Sequence, residues 1–209
     1  NDSEINANYG NVGGIYNAIQ SNAREECSSL IDNCVVEKTT INSENGSGYN
    51  DSMGGIAGAT NLNTTFNNCK VVDSTITNNK ARNTGGIVRF TFNPSEFKEC
   101  NVINTNIKSK SQYNDNSSTV AGIVAMSYDT TYIYKCNVKD LDMEGQGSEL
   151  GGLMTSGVNG SYTIEESNVN NVNINFNTTK MVSYSSGTQL LAELWQAHVF
   201  INIKIKIVS

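Results

Sequence analysis

A Gly-Gly-apolar triplet recurs along the chain, as Gly13-Gly14-Ile15, Gly54-Gly55-Ile56, Gly85-Gly86-Ile87, Ala121-Gly122-Ile123 and Gly151-Gly152-Leu153. The second glycines lie 41, 31, 36 and 30 residues apart. Self-similarity at such periods marks an array whose units cannot bury their apolar faces alone and must stack on one another. A second anchor follows each triplet: Cys69, Cys100 and Cys136 lie 14 residues after their glycine, Ser167 lies 15 after and Cys34 lies 20 after. Beyond the anchor the register is rigid. Two residues on stand Val36, Val71, Val102, Val138 and Val169, and seven residues on stand Ile41, Ile76, Ile107, Met143 and Ile174.

Within each unit apolar residues alternate with polar ones over short stretches, as in Cys100-Asn101-Val102, and β-branched residues dominate. That is the pattern of strands with one buried face. The fold expected is all-β: a right-handed parallel β-helix, or β-solenoid, of about five to six coils with a C-terminal cap. Each coil would carry three short strands: the Gly-Gly-apolar segment, the segment around the anchor and its valine, and the segment around the isoleucine. Stacking at about 4.8 Å per strand would make Cys34, Cys69, Cys100, Cys136 and Ser167 one interior ladder. The column Val36, Val71, Val102, Val138 and Val169 would make a second, and the isoleucines a third. The repeated glycines suit bulged or positive-φ backbone, or close approach of neighbouring coils. Unit length varies by 11 residues, the difference between intervals of 41 and 30, while the columns keep their spacing, so insertions map to turns.

The unit, a glycine pair with Ile-Val after it, a variable loop, then Asn-Cys with a valine and an isoleucine at fixed distance, resembles the GLUG-type and related β-helix repeats of large bacterial surface and secreted proteins. The resemblance covers roughly residues 13 to 176. The first unit departs by being stretched, the fifth by carrying Ser167 for Cys, and the glycine that closes the family's first segment is kept only as Gly58. It implies a secreted or cell-surface setting and a motif that specifies packing. Two regions follow: repeats over 1–176 and a C-terminal coil and capping segment over 177–209. In the latter, Gln189 to Trp195 reads as a helix laid over the last coil, with Leu190, Leu191 and Leu194 on one face. Val199 to Ile207 alternates as a strand whose Lys204 and Lys206 discourage edge pairing.

Composition suits this reading. The chain has 32 Asn and a single proline, Pro94, and only 16% of its residues are charged. A solenoid needs a narrow apolar column and leaves its outer faces polar. With a net charge of −6 and no Lys/Arg cluster, nucleic acid is excluded as a partner, because phosphate neutralisation needs a basic face. No apolar run reaches the roughly 18 residues of a membrane span. The sequence opens at Asn1 without a signal-peptide pattern, which reads as a processed chain or a piece of something larger.

No catalytic set, metal site or cofactor is expected. The cysteine spacings of 35, 31 and 36 residues lack the close pairs of a zinc site. Cys27, seven residues before Cys34, is either a free thiol or its disulfide partner. His198 is the single histidine, so serine or cysteine nucleophiles have no general base. Four residues after the anchor lie Lys38, Asp73, Asn104, Asp140 and Asn171. Asp73 and Asp140, separated by Asn104, would stand about 9.6 Å apart, near the upper limit of about 9.5 Å for an inverting glycosidase pair. A polar ladder at a coil corner explains the same column.

What remains is a non-catalytic recognition or adhesion module, extracellular or at a cell surface, displaying variable loops on a rigid scaffold. A host protein or a glycan would be its partner. Tyr49, Asp51, Tyr113, Asn114 and Asp115, in the turns 43–53 and 108–120, are the binding residues expected. The alternatives are a carbohydrate-active enzyme, either polysaccharide lyase or glycosidase, and a structural spacer that self-associates end to end.

Overall fold

The computed structural model describes residues 2–7, 10–19, 27–44, 52–79, 83–110, 119–145, 149–158, 160–177 and 201–208. Among them the chain is all-β, and every strand pairing is parallel. In chain order, β1 (Ser3–Ala7) precedes a first circuit of β2 (Val12–Gly13), β3 (Tyr16–Ile19), β4 (Ser28–Asp32), β5 (Val35–Glu37) and β6 (Thr39–Ser43). The second circuit is β7 (Ser52–Gly54), β8 (Ala57–Thr60), β9 (Asn63–Asn67), β10 (Lys70–Val72) and β11 (Thr75–Asn78). The third is β12 (Asn83–Gly85), β13 (Val88–Thr91), β14 (Ser95–Lys98) and β15 (Asn101–Ser109), and the fourth β16 (Thr119–Ala121), β17 (Val124–Ser127), β18 (Thr131–Tyr134) and β19 (Asn137–Gly145). Then follow β20 (Glu149–Gly151), β21 (Met154–Gly157), β22 (Tyr162–Glu165), β23 (Asn168–Asn177) and β24 (Ile201–Val208).

Like strands stack. Sheet I runs β2-β7-β12-β16-β20, sheet II β3-β8-β13-β17-β21 and sheet III β4-β9-β14-β18-β22, while sheet IV runs β1-β6-β11-β15-β19-β23-β24 with β5 and β10 beside it. Five strands in each of sheets I to III mark a β-solenoid of about four turns. Sheet IV holds the valine and isoleucine columns. Val36, Val71, Val102, Val138 and Val169 pair in sequence, and Ile5, Ile41, Ile76, Ile107, Met143 and Ile174 do the same.

Each circuit therefore holds four strand directions, where sequence spacing predicts three. The Gly-Gly-apolar triplet, expected as a strand, is the corner between sheets I and II, the valine and isoleucine segments, expected as two strands, share sheet IV, and the strand of sheet III has no counterpart in that spacing. It is built by the residue three before each anchor: Ile31, Phe66, Phe97, Ile133 and Ile164 stand in register. Phe66 and Phe97 stack at 5.0 Å with 4° between their planes, and both are fully buried. Fixed register keeps like rings over like, so the column is close-packed along the axis.

Close approach is what the second glycines supply. A Cβ at Gly55, Gly86 or Gly122 would collide with the carbonyl oxygen of the next glycine of the column and press on Val71, Val102 or Val138. Gly55 and Gly86 donate backbone hydrogen bonds across that gap, to Gly86 at 3.0 Å and Ala121 at 2.9 Å.

Positive φ appears elsewhere, in two columns that the sequence does not mark with glycine. One lies just before the anchor, at Asn33, Asn68, Glu99, Lys135 and Glu166, with φ between 47° and 55°. The other lies four residues after it, at Lys38, Asp73, Asn104, Asp140 and Asn171, with φ between 47° and 54°. These residues bend the chain on either side of the valine column. Each left-handed residue other than glycine costs about 1–2 kcal/mol, least for Asn and Asp. Hydrogen bonds to the adjoining circuit hold the bends, as from Asn68 N to Lys98 O at 2.9 Å and from Glu99 N to Tyr134 O at 2.9 Å.

At its far end sheet IV continues into β24, which pairs with β23 and places Ile205 opposite Ile174. The segment 189–195, expected as a helical cap, lies outside the described residues. Among those described, no helix is long and apolar enough to cross a membrane.

Candidate functional site

The cysteine column is an interior ladder. Cys69, Cys100 and Cys136 are fully buried, Ser167 is 1% exposed, and Cys34 is half-buried at the first circuit. Each buried thiol donates to a carbonyl of the preceding circuit: Cys69 to Ile31, Cys100 to Phe66 and Cys136 to Phe97, all at 3.4 Å. At the fifth place Ser167 Oγ donates to Glu165 O at 2.8 Å and accepts from Cys136 N at 3.1 Å. All five cysteines are free, so Cys27 and Cys34 are not joined. The neighbouring Cys100 thiol and burial push the Cys69 thiol far above its ordinary value. The neighbouring Cys136 thiol and burial do the same to Cys100. Since the thiolate is the nucleophile, Cys69 and Cys100 are held in their unreactive form.

The carboxylates four residues past the anchor are also tied down. Asn104 Nδ2 donates to Asp73 Oδ1 at 2.6 Å, and Asn171 Nδ2 donates to Asp140 Oδ1 at 2.6 Å. Lys139 Nζ stands 3.7 Å from Asp140 Oδ2. The column thus alternates acid and amide, with Asn104 between the two acids. Each of these two carboxylates is the acceptor of a cross-strand amide. The same device recurs at Asn173 to Asp142, 2.7 Å, and at Asn67 to Asp32, 2.7 Å. Among the described residues no group of three or more His, Cys, Asp or Glu could hold a metal ion.

Large apolar side chains are exposed at Ile15, Tyr16, Leu30 and Val35 of the first circuit and along one corner of the later circuits. At the corner between sheets II and III, six residues past the second glycine, stand Asn61, Phe92, Tyr128 and Val158. Phe92 is 50% exposed, Tyr128 39% and Val158 48%. Backbone hydrogen bonds fix each to the preceding circuit: Phe92 N to Thr60 O at 2.9 Å, Tyr128 N to Thr91 O at 2.8 Å and Val158 N to Ser127 O at 3.0 Å. Phe90, buried in sheet II, is the floor of this ridge. Its ring lies 4.1 Å from Phe92 and 4.8 Å from Tyr128, and the two exposed rings lie 5.8 Å apart and 19° from parallel. The buried Arg89 guanidinium sits 4.6 Å over Phe90. Beneath the corner a buried hydroxyl relay ties the circuits together: Thr91 and Thr131 both donate to Ser127 Oγ, at 2.8 and 2.7 Å.

The outer face of sheet III carries a second aromatic pair. Tyr132 and Tyr134 stack at 5.9 Å, and Lys135 Nζ lies 4.8 Å over the Tyr134 ring. Tyr132 donates to Glu165 Oε2 at 2.9 Å, and that bond raises its phenol above its ordinary value. Lys98 pairs with Glu96, and Lys135 with Glu166 at 3.7 Å. These groups are committed to one another.

Of the residues expected to bind, Tyr49, Asp51, Tyr113, Asn114 and Asp115 all lie outside the described residues, as does His198. The ridge is a site that repeat spacing alone overlooks, because that spacing weighs only buried columns. Its sequence signal is a large apolar residue following Thr91, Ser127 or Gly157, where the chain turns and polar residues are the norm. No protein-family model, no curated protein and no solved structure matches the chain.

Proposed function

We propose that this chain is a non-catalytic recognition module that displays variable outer residues on a rigid β-solenoid, in an extracellular or cell-surface setting. The observation that supports it most is the contrast between columns. The valine column keeps one residue throughout and the sheet III column stays apolar, whereas the corner position six past the glycine reads Asn61, Phe92, Tyr128 and Val158. A scaffold held by its core frees its corners to carry a binding surface. The pairing of Asp73 with Asn104 and of Asp140 with Asn171 speaks against the glycosidase alternative. In this reading the solenoid is right-handed, as parallel crossovers are in nearly all cases. It has five to six coils, β24 belongs to the last of them, and the C-terminal segment caps the stack.

Glycan and protein arrays on the purified chain, run beside a reducing-sugar release assay, test the reading. Binding without turnover is the expected result. Turnover of a polysaccharide that disappears in Asp140→Asn would overturn it.

A second reading, a spacer joined end to end, has one observation in its favour. Ile15 is 40% exposed in a column where Ile56, Ile87 and Ile123 are fully buried, an apolar side chain that a stacked neighbour would cover. Light scattering over a concentration series distinguishes the two: a spacer gives a mass that grows with concentration, a recognition module a constant one.

A further inference from the structure

We infer that the ridge of Phe92, Tyr128 and Val158 is a binding site for neutral saccharide chains; the inference rests on the recognition reading above and names its ligand. The first support is the type of surface. At one corner, on successive circuits, two aromatic rings and a valine keep between 39% and 50% of their surface in water. Contiguous exposed apolar side chains of that kind mark interaction sites. Aromatic rings present a negative face to polarised C–H groups, the groups that line one side of a pyranose ring.

The second support is preorganisation. Phe90 fills the space behind both exposed rings, at 4.1 and 4.8 Å, and the backbone of each ridge residue is hydrogen-bonded to the neighbouring circuit. The rings are held before any ligand arrives, so little ordering entropy is lost on binding. A weak ligand such as a sugar needs that advantage.

Size and polarity choose the ligand class. Three residues one coil step apart span about 10 Å, whereas a stable protein interface takes roughly 800 Å² per partner, a patch about 30 Å across. A short stretch of sugar chain matches the shorter span. One residue beyond the ridge stand Asn93, exposed, and Asp129, half-exposed; Asp129 Oδ1 accepts from Thr130 N at 2.6 Å, so the Asn93 amide and Asp129 Oδ2 are the groups that would bind vicinal hydroxyls. The cation at this corner, Arg89, is 6% exposed and lies over Phe90, turned away from a ligand on the outer rings. With a net charge of −6 the chain repels anionic glycans at long range.

The test titrates the intact chain calorimetrically with a panel of neutral oligosaccharides, linear glucans, xylans and mannans, beside sulfated and uronic-acid chains. Measured in parallel are Phe92→Ala, Tyr128→Ala, Tyr128→Phe and, on the outer face of sheet III, Tyr132→Ala. We expect at least one neutral chain to bind, with about a tenfold loss in Phe92→Ala and in Tyr128→Ala, the loss of one aromatic contact. Tyr128→Phe and Tyr132→Ala should bind as the parent does. If Phe92→Ala fails to fold, Tyr128→Ala decides alone. Neutral saccharide binding undiminished in the ridge variants overturns the site and leaves the recognition reading standing. So does binding confined to acidic chains, or to a protein ligand with no saccharide bound. Saccharide turnover by the chain overturns both.

Discussion

Gly86 and Val102 lie in contact across one circuit: a Cβ at position 86 would stand 3.0 Å from Val102 Cγ2 and collide with the carbonyl oxygen of Gly122. The two repeat columns that recur most regularly are therefore one packing unit, since the valine fills the space that the glycine leaves. Gly86→Ala has nowhere to place its methyl and should destabilise by about 3 kcal/mol, at the upper end for overpacking. Gly145, whose added Cβ would meet only Leu150 Cδ1 at 3.3 Å and Cδ2 at 3.4 Å, is the control, and Gly145→Ala should cost under about 1 kcal/mol. Urea melts of both variants check the pair.

Cys100 asks for small size and one donor. Cys100→Ser keeps a donor for Phe66 O, as Ser167 keeps one for Glu165 O, and should cost no more than about 1.5 kcal/mol. Cys100→Tyr has no room in a fully buried column and should prevent folding at 37 °C. A Tyr variant that melts within a degree or two of the parent would remove the interior ladder from the account.

Thiol titration follows from the same column. Under native conditions an alkylating agent should modify the exposed Cys27 quickly, and Cys69, Cys100 and Cys136 only on unfolding, as read by mass spectrometry of peptides. The folded-state values of Cys69 and Cys100 lie above the ordinary 9.0, so the folded chain keeps protons that the unfolded chain releases. This contribution is complete below pH 9 and declines above it, by about 1.4 kcal/mol per pH unit per thiol while only the unfolded thiols are ionised. Replacing both by serine should flatten the alkaline limb of the stability curve.

Much of this architecture is written in the sequence. The valine and isoleucine columns appear as fixed spacings, and they are the register of sheet IV. The strand of sheet III is hidden because its column mixes aromatic with aliphatic residues, Phe66 and Phe97 with Ile31, Ile133 and Ile164, so no single letter repeats. The positive-φ columns are hidden for a different reason. Asn33 and Asn68 announce a left-handed bend, but Glu99, Lys135 and Glu166 hold the same conformation, imposed by circuits above and below against local preference. The ridge falls at a fixed place in the repeat, six residues past the second glycine, but reads Asn61, Phe92, Tyr128 and Val158, so no single letter marks it. The turn residues Tyr49 and Tyr113, chosen for loop length and aromatic character, have no described position to compare.

Those strained bends make a stabilising prediction. Glu99 sits at φ 55° on an exposed corner, so Glu99→Gly removes the left-handed penalty and should raise stability by about 0.5–1 kcal/mol despite the added freedom of the unfolded chain. A thermal melt compares it with Glu96→Gly, which sits within β14 at ordinary φ and should lose stability.

The register of sheet IV carries the whole account, and a disulfide trap reads it directly. Thr75 pairs with Asn106 across 31 residues of sequence, on the outer face of the sheet. In a chain with Cys27→Ser, the pair Thr75→Cys and Asn106→Cys should oxidise rapidly and nearly completely, since neighbouring strands bring the two Cα atoms within disulfide range, about 4.4–6.8 Å. Thr75→Cys with Asp142→Cys, two strands apart by the pairing of Asn106 with Asp142, should stay reduced under the same oxidant. Efficient closure of the adjacent pair alone is the result expected of stacked columns. Equal closure of both pairs, or of neither, would contradict the stack from which the core, the ridge and the proposed site all follow.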